Sequence, residues 1–207
     1  KIIIWRQLAD QIKTRYPNWQ VLKNLMKHAV NLDDIEVISI QVKAIEENRQ
    51  LLSEPDPVKP MIVSVTQMLR DELNRIHQQL IDSYQTNMKQ LEVDSNWQQL
   101  EPEQRESLLN DNTLHPTTLP KINVQNTEAV LRTLEQYSIS VLNDRLAALP
   151  SRFNYVIFQA AKLCVTDPQV IHVPSRTLQT EADIQVWISE VEQRLKSALS
   201  KGPIVIQ

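Results

Sequence analysis

The stretch VSVTQMLRDELNRIHQQLIDSYQTNMKQLEV, residues Val63–Val93, decides how this chain is read. Leu69, Leu73, Ile76, Leu80, Tyr84, Asn87 and Leu91 follow one another in steps of four and three. That spacing is a heptad seam of about three repeats. It predicts one helix from about Val63 to Val93, spanning roughly 45 Å at the α-helical rise. Just upstream, Pro55, Pro57 and Pro60 give the clearest punctuation in the sequence, because proline lacks the N–H that a helix interior needs. Before the break, Asp33 and Asp34 supply acidic residues at a helix start. Ile38, Val42, Ile45 and Leu52 line that helix's apolar side. The two helices are expected to fold back as an antiparallel pair, a helical arm over about 33–93.

Further upstream, Trp5, Leu8, Ile12 and Tyr16 form one apolar stripe, and Trp19, Leu22, Leu25, Met26 and Ala29 another. Pro17 lies between them, so the expectation is two short helices. Downstream, Glu101-Pro102-Glu103 starts a short helix with proline at an early position. That helix should end near residues 110–112. Pro116 and Pro120 then bracket a loop.

The last 90 or so residues change character. Lys121–Gln125, Val170–Pro174 and Pro203–Gln207 read as strands. Between them come helices. Asn126 or Thr127 caps the first, which buries Leu131, Leu134, Tyr137, Val141 and Leu149. Ser151 caps the second, with Phe153, Ile157, Ala160 and Cys164 on one side. Thr180 and Asp183 form a capping-box start for the third, whose stripe is Ile184, Trp187, Ile188, Val191, Leu195 and Leu199. Gly202 and Pro203 follow as a stop. The expected fold is mainly α with a small α+β C-terminal unit. A helical hairpin or bundle over 1–115 precedes a three-stranded sheet packed by helices over 116–207.

Composition narrows the function. The 207 residues contain a single glycine, Gly202, where roughly 14 would be usual. P-loops, dinucleotide loops and nucleophile elbows all require glycine. Net charge is −3, which argues against a dedicated nucleic-acid module. The lone cysteine, Cys164, excludes an internal disulfide and any CxxC metal site. Its apolar neighbours read as those of a buried structural thiol, and one cysteine fits a reducing compartment. No apolar run approaches the ~20 residues a membrane span needs. The chain opens on Lys1 rather than Met, as expected for a piece of a longer product; 202–207 reads as a terminus closing on a strand.

Candidate chemistry is sparse. His28, His77, His115 and His172 are scattered, and helical spacing brings no two together as metal ligands. Asp33-Asp34, Glu46-Glu47, Asp71-Glu72 and Glu190/Glu192 read as solvated helix surface. Trp5, Trp19, Trp97 and Trp187 read as core anchors, with an exposed interface as their alternative. From Arg145 to Lys162 there is no acidic residue. Arg145, Arg152, Lys162 and Arg176 are therefore the candidate contacts for an anion or an acidic partner. Their alternative role is local, capping helix ends and pairing with neighbouring acids. No catalytic, cofactor-binding or metal-binding residue is assigned.

Arg176-Thr177-Leu178-Gln179-Thr180-Glu181-Ala182-Asp183-Ile184 runs into Trp187-Ile188, then a charged helix, then Gly202-Pro203-Ile204-Val205-Ile206. Upstream stand Leu134-Glu135-Gln136-Tyr137-Ser138 and Leu146-Ala147-Ala148-Leu149-Pro150. These segments resemble the extreme C-terminus of the large P-loop ATPase of BREX (bacteriophage exclusion) systems, which is related to the ATPase of phage-growth-limitation systems. The resemblance is strongest over 126–207 and carries no catalytic motif. It implies a large cytoplasmic protein whose N-terminal domain binds ATP and which acts with a DNA methyltransferase and other defence proteins. No Walker pattern occurs in this chain, so ATP is expected only in a missing upstream part. The expectation is a non-enzymatic assembly or partner-docking region that binds defence proteins or itself. The alternative is a DNA-contacting module acting weakly through Arg145–Arg176. No membrane partner is expected.

Overall fold

The long periodic helix is present and begins earlier than its spacing predicts. It runs over Val58–Val93 (α3) rather than from Val63. Pro60 falls in its first turn, where the missing N–H has no helical acceptor to lose. The Asp56 Oδ1 accepts from the Val58 N–H at 2.9 Å. Leu69, Leu73, Ile76, Leu80, Tyr84 and Leu91 of the seam are buried, and Val58, Met61 and Val65 extend it toward the start.

The computed structural model describes residues 2–164, 169–199 and 204–206. Among them the chain is mainly helical. Besides α3 it has α1 (Ile2–His28), α2 (Ile35–Glu47), α4 (Ser95–Gln99), α5 (Pro102–Asp111), α6 (Thr127–Gln136), α7 (Ile139–Cys164) and α8 (Glu181–Leu199). Short 3-10 turns lie at Gln50–Leu52 and Pro116–Thr118, and two strands at Gln169–Ile171 (β1) and Ile204–Ile206 (β2). The chain divides into two compact units, 1–85 with 119–149, and 86–118 with 150–207. Each unit takes residues from both sides of 115.

The expected three-stranded sheet is a two-stranded one among the described residues, with β1 and β2 parallel. Residues 121–125 form no strand. Helical side chains satisfy their backbone instead. Arg70 Nε donates to the Val124 carbonyl at 2.8 Å, and Thr133 Oγ1 donates to the Asn123 carbonyl at 2.9 Å while accepting from the Asn123 N–H at 3.1 Å. A backbone already paired in this way has no need of a ladder. The Pro203–Gln207 strand is seen only at its centre; Gly202, Pro203 and Gln207 lie outside the described residues.

Two proline breaks predicted from sequence are absent. Pro17 lies inside α1 and Pro150 inside α7. In the first unit, α1 therefore keeps a single helical phase from end to end. Its buried line is Arg15, Trp19, Leu22, Leu25 and Ala29. At 100° per residue, Trp5, Ile12 and Tyr16 sit roughly 80–120° to one side of that line. They are exposed, Trp5 at 71%, so the first expected stripe is not a core face. The helix break placed at Pro150 falls at Tyr137–Ser138 instead. There the Ser138 carbonyl accepts from the Leu142 N–H at 3.0 Å, and the Ser138 Oγ accepts from the Val141 N–H at 3.3 Å. Ser151 is consequently mid-helix, and Val141 is exposed. In the second unit, Leu149's neighbours along α7, Phe153, Val156 and Ala160, are buried.

The caps of the other helices follow the sequence. Asn126 Oδ1 accepts from the Ala129 N–H at 2.9 Å, opening α6. The Glu101 N–H donates to Gln104 Oε1 at 3.0 Å at the start of α5, with Pro102 in the first position. Asp94, which spacing did not single out, caps α4 through the Asn96 and Trp97 N–H groups. Trp97 is buried, and the Arg105 guanidinium stands 6.0 Å from its ring.

Arg15 is 6% exposed and ties α1 to the turn before α3. Its Nη1 donates to the Leu51 and Ser53 carbonyls at 3.2 and 2.7 Å, and its Nη2 pairs with Glu54. Truncation would leave those carbonyls short of a donor, so Arg15→Met should lower stability by about 2–3 kcal/mol in urea unfolding. Arg15→Lys should recover less than half, because an ammonium cannot hold the fork. A loss under about 0.5 kcal/mol, the size of a surface change, would refute the anchor.

Glycine scarcity leaves its mark at the corners. Asp34, Arg49 and Thr113 take left-handed backbone at φ 63°, 54° and 54°. Arg49 is exposed. Arg49→Gly should stabilise the chain by about 0.5 kcal/mol, and Arg49→Val should destabilise it by about 1. Thermal unfolding of the pair checks the sign of each.

Candidate functional site

In the second unit, α8 joins two parallel strands. Gln169 pairs with Ile204, Val170 with Val205 and Ile171 with Ile206. Parallel strands cannot be joined by a hairpin, and the helix supplies the crossover. Its start is the predicted capping box. Thr180 Oγ1 accepts from the Asp183 N–H at 3.2 Å, and Asp183 Oδ2 accepts from the Thr180 N–H at 2.9 Å. The same carboxylate oxygen accepts from Thr180 Oγ1 at 2.8 Å and the Gln179 N–H at 3.2 Å.

The expected apolar stripe of α8 is only partly covered. Ala198 is buried, and Trp187, Val191 and Leu195 are half-buried. Trp187 Nε1 donates to the Pro174 carbonyl at 2.9 Å. Ile184, Ile188 and Leu199, expected in the core, are exposed at 41%, 45% and 59%. From Trp187 round to Leu199 the apolar arc is roughly 120° wide, and the strands cover one edge of it. The other edge forms an open groove of about 280 Å³ lined by Trp187, Ile188, Val191, Leu195 and Leu199, with Glu192 and Lys196 at its rim. Glu192 and Lys196 pair at 2.5 Å, and Glu190 pairs with Arg194 at 3.0 Å. The Lys196 ammonium holds the Glu192 carboxyl below its usual value.

A second cavity, about 470 Å³, lies in the first unit between the end of α1 and the start of α7. Lys27, His28, Glu72, Ser138, Ser140 and Asp144 are among its lining residues. Its polar groups are largely committed. Glu72 is held low by hydrogen bonds from Arg75 at 2.7 Å, and Ser138 serves the start of α7. Lys27 donates to Asn24 at 3.1 Å.

The four candidate basic contacts each have their own neighbour. Arg145, in the first unit, stands 5.1 Å from the Tyr137 ring. In the second unit, Arg152 donates to Thr113 Oγ1 at 2.9 Å, Lys162 lies 4.4 Å from the Phe158 ring, and Arg176 is 4.0 Å from Glu190. No two of them share a partner in these interactions.

The histidines are also apart. His77 contacts the Pro120 carbonyl, His115 contacts Thr117, and His172 is exposed. Among the described residues no three His, Cys, Asp or Glu form a metal-holding group. Cys164 is half-buried rather than buried, with its thiol on the Asn96 carbonyl at 3.2 Å. No helix among the described residues is long and apolar enough to cross a membrane.

The exposure of the α8 face was missed from sequence. Spacing offered no signal for it, since an apolar arc of roughly 120° is what a core-facing helix ordinarily carries. No protein-family model, curated protein or solved structure matches this chain.

The Asp183 carboxyl lies below its ordinary value, first through the Thr180 hydroxyl, then the Gln179 and Thr180 N–H groups, with a smaller contribution from Arg176. A depressed folded pKa stabilises above the unfolded carboxylate range, and that stabilisation is lost as pH falls through the folded value. Amide protection at the start of α8 should therefore hold from neutrality to about pH 5 and fall below about pH 4. Asp183→Asn should flatten that dependence. An Asp183 carboxyl that titrates at the ordinary value by NMR would contradict this.

Proposed function

We propose that this chain is a non-catalytic assembly region, docking protein partners or a second copy, within a cytoplasmic phage-defence ATPase of the BREX type. The carrying observation is the α8 face. Trp187, Ile188, Val191, Leu195 and Leu199 line one open apolar groove, with Ile188 and Leu199 exposed. Apolar surface kept open and rimmed by charge is what an interaction site requires. The resemblance over 126–207 supplies the defence context, and in this reading ATP chemistry belongs to an upstream part of the protein. The single glycine supports that separation of roles, since phosphate-cradling loops need several.

Duplex DNA is the weaker reading. Net charge is −3, and Arg145, Arg152, Lys162 and Arg176 are each engaged within the chain. A DNA module would show strongly salt-dependent binding.

The test is co-expression of the tagged 207-residue chain with each protein encoded by the neighbouring genes, read by size exclusion with light scattering. The expected result is a defined complex, with a neighbour's product or with itself. A chain that stays monomeric and binds none of them, while binding duplex DNA at low salt, would replace this reading with the alternative.

A further inference from the structure

We draw no further inference here: the strongest candidate, the open apolar groove along α8 between Trp187 and Leu199, belongs to the site already described, and nothing in the structure shows what covers it.

Discussion

The buried seam of α3 is the constraint on which the first unit is built. Leu69, Leu73 and Ile76 are fully shielded from solvent, and the flanking polar positions of the same turns hold the chain that returns at 119–127. Arg70 reaches the Val124 carbonyl, His77 the Pro120 carbonyl and Thr66 the Thr127 hydroxyl. One helix thus supplies both apolar burial and backbone satisfaction. The second task is what keeps 121–125 out of a sheet. An extended segment rich in alternating apolar residues is a strand only if its N–H and C=O groups are left for a neighbour to take.

Much of this was legible from residue spacing. The seam, the caps at Asn126 and Thr180, and Pro102 at the start of α5 are local patterns whose physics acts within a turn or two. The errors share one cause as well. Pro17 and Pro150 each cost a helix roughly 3 kcal/mol in isolation, and local reasoning stops there. In the folded chain, Trp19, Leu22 and Leu25 follow Pro17, and Phe153, Val156 and Ala160 follow Pro150. Burying side chains of that size contributes about 1.5–3 kcal/mol each, which is enough to carry a helix through a proline. Punctuation in a sequence is therefore conditional on what comes after it.

The phase of α1 shows how one such misreading propagates. Once Pro17 no longer divides the helix, its two halves must share one rotation. Trp5, Ile12 and Tyr16 then point away from the line set by Arg15, Trp19 and Leu22. A buried arginine on an otherwise apolar line, holding two carbonyls and Glu54, had no signature in the sequence. Only the return of 50–54 against α1 gives the guanidinium its acceptors.

The last helix presents the opposite case. All of the α8 stripe was visible in sequence, yet its meaning turned on a quantity sequence does not carry: how much of the arc a neighbour covers. Of the α8 stripe only Ala198 is buried, and Trp187, Val191 and Leu195 are half-buried. What remains open is rimmed by Glu192 and Lys196, which pair with each other one turn apart. The macrodipole does favour acids early and bases late, and it accounts for Glu181 and Asp183 in the first turn and Lys196 in the last. It does not act on Glu190, Glu192 and Arg194, which sit beyond the first turn and before the last, where the effect has fallen off. Those residues follow the one-turn rule instead: Glu190 pairs with Arg194 and Glu192 with Lys196, each acid on the N-terminal side of its base, the order that most favours a helix.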